Sequence, residues 1–348
     1  MVVAGRSHRT AQHLLIVIHA LNDGHQEQQE LGVVTGRFSG IQKIFASVGG
    51  NRPVVVLAGA VNAGERFFVQ QTHQTVLCSH VFHDLHGQLI VIGGGVGGLC
   101  AAFVAAERGH SVTLYEAGHV LGGNMRLAAF PPGKGDITNM VRAYIHRCEK
   151  DGVRIVLGQE VTLELIRKEN PDAVIVATGA KPLVLPIEGI DQPEILSGSA
   201  VLDGTCAPGK KVLVVGGGMV GCEIAALLGE QEHEVDVIEL RGEIGADVIR
   251  EHKIYLMKDF EQYRIGQITG AKVCRFYKDG VEYEGADGAR HEARGYDSVV
   301  LAMGYRSFNP FAGQIEKLGK EVYVIGDAHQ ARRALEATSE AYQAAIRL

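Results

Sequence analysis

Two short stretches carry the chemistry that is legible first. "VIGGGVGGLC" (Val91 to Cys100) and "VVGGGMVGCE" (Val214 to Glu223) each follow an apolar run. In the first, Gly93, Gly95 and Gly98 stand in G-x-G-x-x-G spacing, and Gly216, Gly218 and Gly221 repeat it at a constant offset of 123 residues. This spacing suits a pyrophosphate. The first glycine makes a tight turn, the second lets backbone approach the anion, and the third lets helix pack on strand. Backbone N–H groups at the start of the following helix, reinforced by its dipole, then face the phosphates. Glu116 and Glu239 each come 23 residues after the first glycine of their loop. There a carboxylate ending the second strand accepts hydrogen bonds from ribose hydroxyls. The duplication predicts two dinucleotide sites. A carboxylate at Glu239 repels a 2'-phosphate, which favours NADH in the second site, while Arg241 can turn toward such a phosphate and leaves NADPH open.

The elements that must position these residues follow from the flanking pattern. "QLIVIGGG" reads as a buried strand, "LCAAFVAAERG" as a helix stopped by Gly109, and "SVTLYEA" as the next strand. That is a βαβ unit, which implies a parallel sheet with a right-handed crossover. "KVLVVGGG", "MVGCEIAALLGEQEH" and "EVDVIEL" repeat it. The expected fold class is α/β, with two Rossmann-like dinucleotide-binding domains and an atypical N-terminal region over residues 1–87. Late in the second unit, Asp279-Gly280 and Asp287-Gly288 mark the turns of a β-meander.

Bulk properties exclude several other classes. The net charge of -6 and the lack of a long Lys/Arg run argue against a nucleic-acid partner. The apolar stretches His13 to Leu21 and Pro53 to Val61 fall short of the roughly 20 residues that cross a bilayer. With no secretory signal pattern at the amino terminus, the expectation is a cytoplasmic protein with no membrane partner. The six cysteines contain no Cys-x-x-Cys pair, which removes the common local metal signatures and a redox disulfide close in sequence. Cys100 and Cys222 read as small buried side chains. Residues 1–87 hold one lysine but eight of the 15 histidines. His80, His83 and His86 recur every third residue, yet no carboxylate or cysteine accompanies them at a known ligand spacing, so they read as solvated or packed. The segment is expected to be an atypical appendage or the result of a mis-assigned start of the reading frame.

Further motifs carry a resemblance. "HVLGGNMRL" holds Gly122 and Gly123, which permit close passage of a long ligand; "VIVATGAKP" holds Thr178 and Gly179, and "VVLAMGYRSFNP" holds Gly304. "VYVIGDAHQARRALEATSEAYQAAI" places Gly326 and Asp327 between a strand and a helix. Here the chain resembles the two-dinucleotide-binding-domain flavoproteins. The resemblance implies FAD at the first loop, with Gly326 and Asp327 at its ribityl and pyrophosphate region, and a nicotinamide cofactor at the second. It implies that Thr178-Gly179 and Gly304 lie on the two crossings between domains. Asp327 also fits a helix cap. The expected FAD domain is 88–197 with 305–348, flanking an NAD(P)H domain at 198–304. "GGNMRLAAFPPGKGDI", "GGGMVGCEIA" and "VIELRGEIGADV" are more specifically similar to the carboxyl-terminal half of the 2,4-dienoyl-CoA reductase and 2-enoate reductase group, NADH:flavin oxidoreductases related to old yellow enzyme. That resemblance spans nearly all of 88–348. The group carries an FMN-binding TIM barrel and a cysteine-bound iron–sulfur cluster ahead of this half. Residues 1–87 are too few for a barrel of about 250 residues, and Cys78 alone cannot replace the cluster cysteines, so the expectation is the module without its barrel.

The mechanism expected is hydride transfer from NADH to the flavin N5, with electrons passed on to an unknown acceptor: a separate barrel or redox protein, a small molecule or oxygen. The cofactors carry this chemistry, so no catalytic side chain is nominated. Arg126 and Lys134 read as exposed cations, with contact to flavin or partner as the alternative. Two other functions stay open at this point. One is a stand-alone ferredoxin-type or pyridine-nucleotide:disulfide-type reductase, the latter disfavoured by the missing cysteine pair. The other is a truncated nucleotide-binding fragment without turnover.

Overall fold

The apolar run Leu89–Ile92 is buried on both faces, as a central parallel strand must be. It belongs to β1 (Gln88–Ile92), which leads through α1 (Val96–Glu107) to β2 (Ser111–Glu116). The repeat runs through β3 (Lys211–Val215), α2 (Met219–Glu230) and β4 (Glu234–Ile238), followed by α3 (Arg250–Gln262). A last helix, α4 (Ala334–Arg347), ends the chain. The computed structural model describes residues 87–348 and, before them, the backbone of six strands between His19 and Cys78. Four of those, Gln42–Val48, Arg52–Ala58, Phe67–Gln71 and Gln74–Cys78, pair antiparallel in chain order. One of them, Arg52–Ala58, takes up most of the apolar run that reaches Val61, whereas His80, His83 and His86 lie outside the described residues.

The chain separates into two compact units, Met1–Gln88 with Ala105–Ser111, and Leu89–Val104 with Val112–Leu348. Two five-stranded sheets carry the nucleotide repeats. The first runs Glu321–Val324, Ala173–Val176, β1, β2, Arg154–Leu157. The second runs Ile195–Ser197, Ser298–Leu301, β3, β4, Gly266–Ile268. In both, the glycine loop leaves the middle strand, and its acidic residue ends the next one at Glu116 or directly follows it at Glu239. Ile195–Ser197 lies ahead of the expected boundary at 198 yet pairs with Ser298–Leu301 in the second sheet. The expected meander is present as Lys272–Tyr277, Gly280–Glu284 and Arg290–Arg294.

Each sheet is held by its own apolar packing. Val212, Val214, Ile224, Leu228 and Val237 close one side of the second sheet, and Leu213, Phe276, Val281 and Val299 the other. Ile90, Ile166, Val174 and Ile315 do the same for the first. Each such buried side chain contributes about 1.5–3 kcal/mol. Between the sheets the chain crosses twice, and the crossings pair: Ala180–Pro182 lies antiparallel to Tyr305–Ser307, Ala180 opposite Ser307. Among the described residues no helix is long and apolar enough to cross a membrane.

Candidate dinucleotide sites

Glycine is required at specific points of both loops. Gly93 and Gly216 adopt φ of 107° and 109°, a region L side chains avoid. A Cβ on Gly98 would fall on the Gly93 carbonyl oxygen, and one on Gly221 on the Gly216 carbonyl oxygen, both far inside 3.0 Å. These glycines set helix against strand, as the spacing implies. Gly95 differs: a Cβ there would meet nothing within 4 Å, so open space faces it, as a ligand cradle needs. At Gly218 the same atom would stand 3.3 Å from the carboxylate of Asp247.

The two glutamates brace their loops. Glu116 accepts from the N–H of Gly94 and of Gly118, both at 2.7 Å. Glu239 accepts from Gly217 N–H at 2.5 Å and Arg241 N–H at 2.8 Å. The same bonds recur at the 123-residue offset. Each carboxylate oxygen keeps a second lone pair for a ribose hydroxyl. The brace is an additional task that the motif spacing does not reveal.

Around the second loop lies a cavity of about 440 Å³, within the range that holds small-molecule ligands. Gly216, Gly218, Glu239, Arg241, Asp247 and Gly304 are on its wall. At the first loop, Gly122 N–H donates to Gly94 O at 2.8 Å and bridges Gly95, while Gly123, at φ 51°, would put a Cβ 3.1 Å from the Gly95 Cα. α4 closes this end of the sheet. A Cβ on Gly97 would stand 3.5 Å from Ala337 O, and one on Gly326 would stand 3.0 Å from Ala337 Cβ. Gly326 N–H donates to Glu340 at 2.8 Å, and Asp327 accepts from Arg332 N–H at 3.1 Å in the turn ahead of α4. Gly93, Gly95, Glu116, Gly326 and Asp327 thus gather beyond the carboxyl ends of parallel strands, where open α/β sheets bind ligands. Thr178 donates to Phe308 O at 2.5 Å, Phe308 N–H to Gly179 O at 3.0 Å, and Leu183 N–H to Gly304 O at 2.9 Å. These three residues therefore belong to the paired crossings.

The reading of Lys134 as an exposed cation requires correction. Its ammonium pairs with Glu223 on α2, whose side chain is 7% exposed, and His252 Nε2 on α3 lies 3.2 Å from the same carboxylate oxygen. A turn closed by Lys134 N–H on Pro131 O brings the lysine inward, and a buried carboxylate demands such a partner. Arg126 is exposed, as expected.

Among the described residues, Cys148, Cys206, Cys222 and Cys274 are free thiols. Burial pushes Cys148 and Cys222 up to about 12, aided at Cys148 by Asp151 and at Cys222 by Asp247 and Glu239. An unfolded thiol ionises near ~8.5, so these buried thiols stabilise the fold fully below that pH, and the contribution is lost as pH rises toward 12. Native protein treated with iodoacetamide at pH 8 will leave both unmodified by mass spectrometry, and denatured protein will be alkylated at both.

Two nucleotide units sharing one polypeptide and joined by paired crossings define a two-dinucleotide-binding redox protein. Residues 87–345 match the model for the pyridine nucleotide-disulphide oxidoreductases, and the chain belongs to that family, whose members use FAD and NAD(P)H. It is similar to the bilirubin reductase of Mediterraneibacter gnavus, 37% identical over 264 residues that cover 75% of this chain and 41% of the relative. The NADH oxidase of Thermoanaerobacter brockii is 33% identical, with 74% and 40% covered. Among solved structures, a 2-naphthoyl-CoA reductase superposes with a TM-score of 0.72 at 30% identity, over 76% of this chain and 40% of that one. T. acidophilum thioredoxin reductase shares the fold, with a TM-score of 0.58 at 18% identity and 97% of its length covered. The chain therefore spans about 40% of the length of the reductase and oxidase relatives named. The α/β class read from the motifs, and the oxidoreductase assignment and the FAD and NAD(P)H pair that the resemblance implies, agree with this membership.

Proposed function

We propose that this chain is an NADH-to-FAD electron-transfer module that passes electrons to an acceptor carried elsewhere. The observation that carries the reading is the duplicated loop and glutamate brace at the carboxyl ends of two parallel sheets in one chain. The bound nicotinamide and flavin supply the hydride donor and acceptor. The residues at 88–194 and 305–348, through Gly93, Gly95, Gly98, Glu116, Gly122, Gly123, Gly326 and Asp327, hold the FAD. Those at 195–304, through Gly216, Gly218, Gly221 and Glu239, hold the nicotinamide nucleotide. Thr178, Gly179 and Gly304 fix the crossings and thereby the relation of the two sites. Relatives of which this chain covers only about 40% support an acceptor on further polypeptide, a barrel or separate redox protein. Free thiols and dependence on a reduced nicotinamide both suit the cytoplasm.

Anaerobic titration of the purified yellow protein with NADH tests the reading. Bleaching of the flavin band at about one equivalent supports it, and a protein that takes up no FAD, or whose flavin NADH leaves oxidised, overturns it.

Cofactor choice gives a further expectation. Glu239→Gln removes the charge that repels a 2'-phosphate but keeps one acceptor oxygen for the brace. The ratio of NADH to NADPH affinity will narrow by about tenfold, the effect of roughly 1.4 kcal/mol, as read by parallel titrations.

A further inference from the structure

One position beside the duplicated loop changes from an amide to a carboxylate. At the 123-residue offset Leu121, Gly122 and Asn124 correspond to Ile244, Gly245 and Asp247. The correspondence is structural as well. Gly122 N–H donates to Gly94 O at 2.8 Å and Gly245 N–H to Gly217 O at 2.7 Å, and Leu121 and Ile244 each fill the space beside the central glycine of their loop. In the first unit the position is neutral, since Asn124 only opens the short helix Asn124–Leu127. In the second it is a carboxylate that reaches back to the loop.

Asp247 Oδ1 accepts from the N–H of Met219, the first residue of the 12-residue helix α2, at 3.0 Å. The side chain stands over Gly218 and on the wall of the same cavity as Gly216 and Glu239. The first N–H groups of a helix have no partner within it, and in a dinucleotide fold they are what the pyrophosphate binds. A carboxylate there satisfies the helix as a phosphate would and carries the same sign of charge. Arg333 Nη2 donates to the backbone oxygen of Asp247 at 2.9 Å, which ties this residue to the start of α4. The first loop has open space over Gly95 at the matching point.

We infer that Asp247 is a built-in competitor for the pyrophosphate of the nicotinamide nucleotide and sets that nucleotide's affinity. This rests on the second loop being the nicotinamide site. The nucleotide must displace the carboxylate, so its apparent affinity falls by the fraction of molecules in which the helix end is free. With Asn124 at the matching place, the first loop has no such competitor. One chain thereby keeps one dinucleotide and exchanges the other, as a module with a resident flavin and a consumable reductant requires.

The test uses the full-length flavoprotein and isothermal titration calorimetry with NAD+, which does not reduce the flavin. Asp247→Asn removes the charge and retains an oxygen for Met219 N–H, and Asp247→Ala removes both. The dissociation constant for NAD+ should fall about tenfold in the Asn variant, about 1.4 kcal/mol, and at least as far in the Ala variant. Adenosine, which lacks the pyrophosphate, should bind all three proteins alike. An unchanged or raised dissociation constant for NAD+ in both variants overturns the inference while leaving the nicotinamide site in place, as does equal tightening for adenosine. If neither the wild type nor the variants bind NAD+, the assignment of the second loop fails and the inference with it.

Discussion

Gly221→Ala should give a protein that keeps its flavin colour and no longer responds to NADH, while Gly98→Ala should give one that does not retain flavin at all. The two changes are chemically identical and lie 123 residues apart. At each, the added methyl would coincide with a backbone carbonyl oxygen, that of Gly216 or of Gly93. A flexible side chain gives way to such a methyl at small cost, but a carbonyl in the turn that forms the loop cannot. Overpacking at a rigid contact costs about 1–3 kcal/mol, and here the displaced group is the binding loop itself. A loss near 3 kcal/mol is about a hundredfold in affinity. Flavin absorbance of the purified variants reads the first loop, and NAD+ calorimetry reads the second. Loss of both cofactors from either variant would mean that the loops do not act separately.

Lys134→Ala carries the second large effect. It leaves the Glu223 carboxylate, 7% exposed, with His252 as its remaining ion-pair partner. Removing one member of a fully buried pair costs about 3–5 kcal/mol. Lys134 is 21% exposed and the imidazole remains, so the expected loss is smaller, about 2–3 kcal/mol. The thermal midpoint followed by circular dichroism should fall by about 4–6 °C. Glu223→Gln in the same chain should recover most of that fall, because no buried charge is then left unmatched. A double variant as unstable as the single one would show that Lys134 acts through packing of its stem instead.

The contrast between these residues explains how much was legible in the sequence. Gly98 and Gly221 are set by local geometry, since a strand, a tight turn and a helix must meet within a few residues, and such constraints leave a spacing that can be read. Glu116 and Glu239 were visible for the same reason, although their bonds to loop N–H groups were not. Lys134 and Glu223 are 89 residues apart, and nothing in either neighbourhood requires the other. The lysine therefore reads as one more surface cation until the fold brings α2 to it. Asp247 lies between these cases. Its contact with Met219 is long-range, but the offset that aligned the loops also aligns it with Asn124, and comparing the two copies residue by residue would have exposed the added charge. The roles of Thr178, Gly179 and Gly304 came from resemblance alone, since pairing between two chain crossings leaves no local pattern.

The pairing of Ala180–Pro182 with Tyr305–Ser307 has a consequence for how such a molecule can be rebuilt. The polypeptide that leaves for the second sheet and the polypeptide that returns from it are neighbours on one short ladder. Everything between them leaves and returns at a single seam, so an exchanged cassette would meet the host chain there and at the Lys134–Glu223 and Arg333–Asp247 contacts. The strands of the host sheet then need neither rethreading nor a change of register, since insertion is tolerated best where chain ends lie close together. Grafting at this seam would let the proposed electron source be altered while the strands of the first sheet keep their order and register.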